Sequence, residues 1–357
     1  MTALYTKSES KQLQGLAVCA IICIHLFYRK DADVFGTPLL WIKEGLPLVC
    51  WLGWLSNICV PLYSLSAGYA QQLMDEKNGG DYLGNLRRCL RLMVNLWIVL
   101  TVFTILSMFW GKRSDMPTTF IEFVLQAFLV HFSNPAWWYM RTYVLIMILL
   151  PPCVLLWPIR RIPWKAGVVL CLFAASAGFC LKRFHFLPPA IDKSFVVDFV
   201  FRGLSIYKVL PFIWLGAIVK KANLFERCKK KLERFGTPLN QNFFLTFVLL
   251  ISSLFVCLIE NTLVIFPFAF MVFLAFPLFA KPVFLQQILS FLGKHSTNIW
   301  LIHMYFYARL YSGLVQKLQY PVFMFVGIMF LSIVSSYGIM AIQKGLAKSC
   351  EFVLKKN

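Results

Sequence analysis

The chain has 357 residues, of which 59% are hydrophobic and only 14% charged, and its mean hydropathy is +0.71. Soluble chains carry roughly 25% charged residues, so this composition excludes a soluble globular enzyme and requires lipid to cover much of the surface. The formal net charge of +20 does not point to nucleic acid, because the basic residues are dispersed between apolar runs and not gathered on one polar face; in a membrane protein such an excess is a topology signal.

A fold class follows: an all-α, polytopic transmembrane bundle, since only helices satisfy their own backbone groups in lipid without closing a barrel. A chain of this length has room for about ten spans of about 20 residues. In chain order the apolar segments are 12–28, 45–72, 89–110, 136–158, 166–181, 204–221, 241–259, 262–280, 296–315 and 319–345. The segment 119–133 is apolar but short and carries Glu122, Gln126 and His131, so it reads as a re-entrant or interfacial piece. No segment is polar and long enough for a separate soluble domain, and residues 1–357 read as one integral membrane domain. The first span is expected to be retained, because no small-x-small cleavage site follows it before Arg29 to Asp33. The eleven cysteines, Cys19, Cys23, Cys59, Cys171 and Cys180 among them, mostly sit in apolar runs without CxxC spacing. They read as small core residues and indicate neither a disulfide framework nor a metal site.

Orientation follows from the loops. With the N-terminus inside, Lys7 and Lys11, Lys77 to Arg91, Arg160 to Lys165, Lys220 to Arg234, Lys281 and Lys294, and the tail Lys344 to Lys356 all fall on one side. That side holds the clear excess of Lys and Arg, so both termini are expected in the cytoplasm of a multi-pass cell-membrane protein, with 182–203 as the large outer loop.

Polar groups inside apolar runs are costly and mark function. His25 lies deep in the first span. Its ordinary pKa near 6.5 suits general-base work, although a histidine hydrogen-bonded between helices is the plainer reading. Gln14 stands 11 residues earlier. Eleven helical steps return to within roughly 20° of the same face, about 16 Å along the axis. Lys11 lies on nearly the same stripe, one turn lower, and a lysine there can snorkel upward. Arg87, Arg88 and Arg91 open the third span at spacings of three and four. They could grip phosphates or simply form a positive-inside flank. Ser66 and Tyr69 follow Asn57 and Pro61; Ser66 lacks a G-x-S-x-G setting, so packing is the simpler role. Asn298 and His303 stand in the ninth span, where His303 reads as an interhelical donor. Arg141, Lys208, Asp198 and Arg202 read as inward-facing or interfacial.

These residues resemble the membrane-bound acyltransferase family 3, which includes bacterial O-acetyltransferases of cell-surface polysaccharides. The resemblance covers nearly the whole chain. It is carried by Gln14-Gly15-Leu16-Ala17 leading to His25, by Val60 to Tyr69, by Arg87-Arg88-Cys89-Leu90-Arg91-Leu92, by Asn134 to Tyr139, including Trp138, and by Leu292 to His303. The family implies an acyl-CoA co-substrate, usually acetyl-CoA, entering from the cytoplasm. It implies a hydroxyl acceptor on a lipid-linked or growing glycan, and no bound cofactor. It implies His25 as catalyst and Arg88 and Arg91 as holders of the donor's phosphates. The chain departs from the family at Gln14, where a basic residue is usual. Lys11 or the arginines would then supply the charge.

The expected function is therefore transfer of an acyl group, acetyl in the simplest case, from acyl-CoA to a glycan hydroxyl. Two other readings stand beside it. One is a transporter or flippase for a glycan or lipid-linked intermediate, for which internal repeats would speak. The other is a non-catalytic member of the family. Acyl-CoA, a glycan acceptor and membrane lipids are the expected partners, and nucleic acid is not.

Overall fold

A computed structural model describes residues 4–28, 38–43, 46–109, 116–183, 204–259, 261–307, 314–315 and 317–356. Helices make up nearly all of it, and a short antiparallel hairpin pairs β1 (Trp41–Lys43) with β2 (Leu46–Pro47). The stretch Arg29 to Asp33, Asp198, Arg202, Arg309 and nearly all of the expected outer loop 182–203 lie outside the described residues.

The helices follow the apolar segments, with ends set by local chemistry. Helix α1 (Lys7–Phe27) is capped by Thr6, whose hydroxyl accepts from the Glu9 amide at 3.2 Å. Helix α2 (Leu48–Leu55) leads through a 3-10 turn, Ser56–Ile58, into α3 (Cys59–Asn78). Helix α3 stops at Gly79, whose φ of 68° suits a residue without Cβ and whose amide returns to the Asp75 carbonyl. Helix α4 (Tyr82–Phe109) follows. Helix α5 (Phe120–Ala127) starts in a capping box between Thr119 and Glu122. Bonds from Thr118 and Thr119 hold the Glu122 carboxyl below the usual carboxylate range. Eight residues span about 12 Å, so α5 cannot cross a hydrocarbon core of about 30 Å.

The apolar run 136–158 is not one helix. It breaks into α6 (Trp138–Leu149), α7 (Pro152–Leu155) and α8 (Trp157–Arg161). Pro151 and Pro152 lack the amide that would continue the ladder. Next come α9 (Trp164–Arg183), α10 (Leu210–Lys221), α11 (Leu224–Leu232), α12 (Pro238–Ile259) and α13 (Thr262–Ala275). Helix α14 (Val283–Tyr307) starts 13 residues before the apolar run 296–315, and α15 (Pro321–Lys356) closes the chain. Among the described residues, five helices are long and apolar enough to cross a membrane by themselves: Lys7–Phe27, Leu48–Asn78, Tyr82–Phe109, Pro238–Ile259 and Pro321–Leu346.

The chain divides into two compact units. The first comprises Met1–Ile24, Trp54–Leu86 and Trp138–Lys294. Its helices meet backbone to backbone. A Cβ on Gly68 of α3 would strike the Ile213 carbonyl of α10, and one on Gly216 of α10 would strike the Leu65 carbonyl of α3. The same reciprocity joins α1 to α14, with Gly15 against Leu289 and Gly293 against Lys11. Small residues allow this approach in lipid, where helices gain nothing by hiding apolar surface from water. Ion pairs tie the helix ends: Lys281 to Glu9 at 2.9 Å, Arg160 to Asp75 at 2.6 Å and Lys220 to Glu76 at 2.6 Å. Lys221 also donates to the Ile159 and Arg160 carbonyls at the end of α8.

The second unit comprises His25–Gly53, Arg87–Trp137 and His295–Asn357. Its interior is joined by side-chain hydrogen bonds. Gln343 donates to Asn95 at 2.6 Å, Asn95 to Asn298 at 2.6 Å, and Asn298 to the Ser336 hydroxyl at 2.8 Å. That hydroxyl also lies 2.9 Å from His295 Nδ1. The chain of bonds links α4, α14 and α15.

Candidate active site

The residues singled out in the sequence fall into separate groups. In the second unit, His25 and His303 come together. Their ring centroids are 5.0 Å apart, with planes tilted by 41°. His25 is half-buried near the end of α1, and His303 is buried in α14. His303 Nδ1 lies 3.1 Å from the Ile299 carbonyl and 2.8 Å from that of Trp300. The turn that carries His303 is held from outside. Asn134 and the Trp137 indole donate to the Leu301 carbonyl at 3.1 and 3.2 Å, and the Trp300 indole donates to Ala136 at 3.1 Å. Phe103 stacks on Tyr305 at 4.3 Å, one turn-half beyond. An imidazole that is only half-buried, as that of His25 is, can exchange a proton near neutral pH.

Asn298 belongs to the polar chain described above, with both ends of its amide engaged. That is a structural role, since a satisfied buried network holds helices in one register. Sequence reasoning passes over Asn95, Ser336 and Gln343. The available signal was the same as for His25: polar side chains inside long apolar runs.

The three arginines differ. Arg87 and Arg91 are exposed on α4, and Arg91 Nε donates to the Arg87 carbonyl at 3.3 Å. Arg88 is half-buried. A partly buried guanidinium gains more from an anion than a fully solvated one, because solvent screens it less. Arg88 is thus the better placed of the three to hold a phosphate.

In the first unit, the Lys11 ammonium donates to the Gln14 side-chain carbonyl at 3.2 Å. The neutral Gln14 therefore carries a cation at its tip, supplied from one turn below on the same helix. Helix α1 is continuous from Lys7 to Phe27, so the stripe from Lys11 through Gln14 to His25 exists as helical geometry requires.

Ser66 is not arranged as a nucleophile. Its hydroxyl accepts from the Tyr5 phenol at 2.9 Å and lies 3.1 Å from Ser10 Oγ. Burial pushes the Tyr5 phenol up to about 12, so it stays a neutral donor and no base stands beside Ser66 in this contact. Tyr69 packs edge-on to Tyr5 at 4.8 Å, with Phe225 and Phe273 around them. Both residues close the α1–α3 seam. Trp138 lies under the Lys208 ammonium at 5.5 Å, a cation–π contact at the start of α6. Arg141 is buried on the same helix. Among the described residues no cluster of His, Cys, Asp or Glu could hold a metal ion.

Neither curated proteins nor solved structures give a match to the chain. A family profile does: an acyltransferase domain matches residues 9–341, from the first turn of α1 into α15. The apolar helices and this match make the protein a membrane acyltransferase; the chain belongs to acyltransferase family 3.

Proposed function

We propose that the protein transfers an acyl group, acetyl in the simplest case, from acyl-CoA to a hydroxyl of a cell-surface or lipid-linked glycan. It would act in the cytoplasmic membrane, crossing it about ten times with both termini inside. His25 is the base. The observation that carries this reading is the pairing of His25 with His303, two imidazoles brought together from distant apolar runs of the chain. An acyl transfer to a hydroxyl needs one group that takes the hydroxyl proton and returns it to the leaving thiolate, and an imidazole does both near neutrality.

The donor is bound by charge. In the second unit Arg88, assisted by Arg91 and Arg87, contacts its phosphates; in the first, the Lys11–Gln14 pair offers an anion a cation of its own. The orientation is supported by the ion pairs of the first unit. Glu9 with Lys281, Asp75 with Arg160 and Glu76 with Lys220 join chain segments that the charge count assigns to one and the same side. A cytoplasmic donor would approach from there.

Binding of acetyl-CoA to the purified protein tests the reading against a flippase. The unaltered protein should bind it, and the Arg88→Ala, Arg91→Ala double variant should bind at least about 10-fold more weakly, as expected for loss of charge-assisted phosphate contacts. An unaltered protein that does not bind acyl-CoA, yet moves a lipid-linked glycan across vesicles, would overturn it.

A further inference from the structure

His303 is more fully determined than its partner. Carbonyl oxygens only accept hydrogen bonds, and Nδ1 faces two of them, at Ile299 and Trp300. Nδ1 therefore carries the proton, and Nε2 carries a lone pair. This nitrogen is buried and has no hydrogen-bond partner among the described residues. A buried polar atom left without a partner in a native structure calls for an explanation. The helix carbonyls cannot supply one, since they already hold the other side of the ring. His25 can, because its ring lies 5.0 Å away, a separation that a direct hydrogen bond or a single bridging water can close. The shell around this turn is built to hold the ring still. Asn134, Trp137 and Trp300 together fix the backbone at Leu301 and Ala136, and His303 is 1% exposed.

We propose that His303 is a positioning residue for His25. Its Nε2 accepts the N–H of the His25 imidazole, directly or through one water, and leaves the other His25 nitrogen as the base. The arrangement follows the logic of a nucleophile, a base and a third group that orients the base, with a neutral imidazole in the third place. In the step so organised, the acceptor hydroxyl gives its proton to His25 as its oxygen bonds to the thioester carbonyl carbon. The carbon–sulfur bond then breaks, and the departing thiolate takes that proton back from His25. The products are an ester and a free thiol, and both histidines end as they began. His303 stays neutral throughout, since two imidazolium rings this close would repel. The inference rests on the acyl-transfer reading above.

The test uses two variants of the full chain in native-lipid particles, with labelled acetyl-CoA and membrane glycan as substrates. In His303→Asn the side-chain amide can replace the Nδ1 donor toward the helix carbonyls but leaves nothing at Nε2. In His303→Gln the amide reaches toward the Nε2 position. His303→Asn should lose at least about 10-fold in kcat per folded protein, with acetyl-CoA binding unchanged and the acid limb of the pH–rate profile displaced. His303→Gln should recover part of the rate. A purely structural histidine would lower the yield of folded protein while leaving its kcat and pH profile intact, and that result would overturn the proposal. Should His303→Asn not fold, His303→Gln carries the same two readouts. His25→Ala separates the two levels. If it remains active, the acyl-transfer role of His25 fails; if it is inactive while both His303 variants match the unaltered protein, this inference alone fails.

Discussion

The two units of the molecule solve the same problem by different means. In the first, α3 with α10 and α1 with α14 touch through reciprocal glycines, and ion pairs close the helix ends. In the second, α4, α14 and α15 are joined by a run of amide and hydroxyl side chains from Gln343 to His295. Lipid offers no hydrophobic drive between helices, so close packing and interhelical hydrogen bonds are the two available forms of cohesion. The histidine pair sits in the unit that uses hydrogen bonds. There His303 is oriented by hydrogen bonds to the Ile299 and Trp300 carbonyls of its own helix, which steric packing alone would not set.

The contrast can be broken most decisively at the glycine seams. Gly68→Leu or Gly216→Leu forces the α3 and α10 backbones apart and should cost about 3 kcal/mol or more, read as a large fall in Tm or loss of folded protein in detergent. Asn298→Leu removes the centre of the polar chain and strands Asn95 and Ser336. In a membrane interior that should cost about 1–2 kcal/mol, measured in the same assay. If Asn298→Leu proves the more damaging, the division between the two units is wrong.

A smaller effect concerns the donor side. Lys11→Met strips the cation from Gln14 and should weaken acetyl-CoA binding by about 3-fold, the scale of an exposed charge contact, with the difference fading at high salt. Gln14→Arg should tighten binding.

The smallest effect is a pH dependence. The Tyr5 phenol is raised from 10.0 to about 12 in the folded protein. Above pH 10 the unfolded chain loses this proton while the folded chain keeps it, so the contribution is fully present below 10 and is lost as pH rises toward 12. The Tm difference between the unaltered protein and Tyr5→Phe should therefore narrow between pH 9 and pH 11.

Much of this organisation was legible in the residues, and the rest fails for identifiable reasons. Apolar runs located the helices, but hydropathy alone reads through Pro151-Pro152, a visible stop. It also begins α14 late, because Gln286, Gln287 and Lys294 dilute its first turns. The resembling motifs contain Gly15, Gly68, Gly293 and Asn134 to Tyr139. Three of those glycines turn out to be helix contacts, and the last motif clamps the turn that carries His303. What no periodicity could show is which faces meet, since helices in lipid are apolar all round. Pairing His25 with His303, or Asn95 with Asn298, joins residues some 200 or more positions apart. Lys11 as the cation for Gln14 was legible, because three residues on a helix are neighbours by geometry.

In the proposed reaction His25 carries the proton of acyl transfer. The direct measurement is transfer of labelled acetyl from acetyl-CoA to membrane glycan by the unaltered protein and by His25→Ala, at equal amounts of folded protein and with acetyl-CoA binding checked in both. His25→Ala should lose at least about 10²-fold in transfer with donor binding retained. Transfer at the unaltered rate in that variant would contradict it.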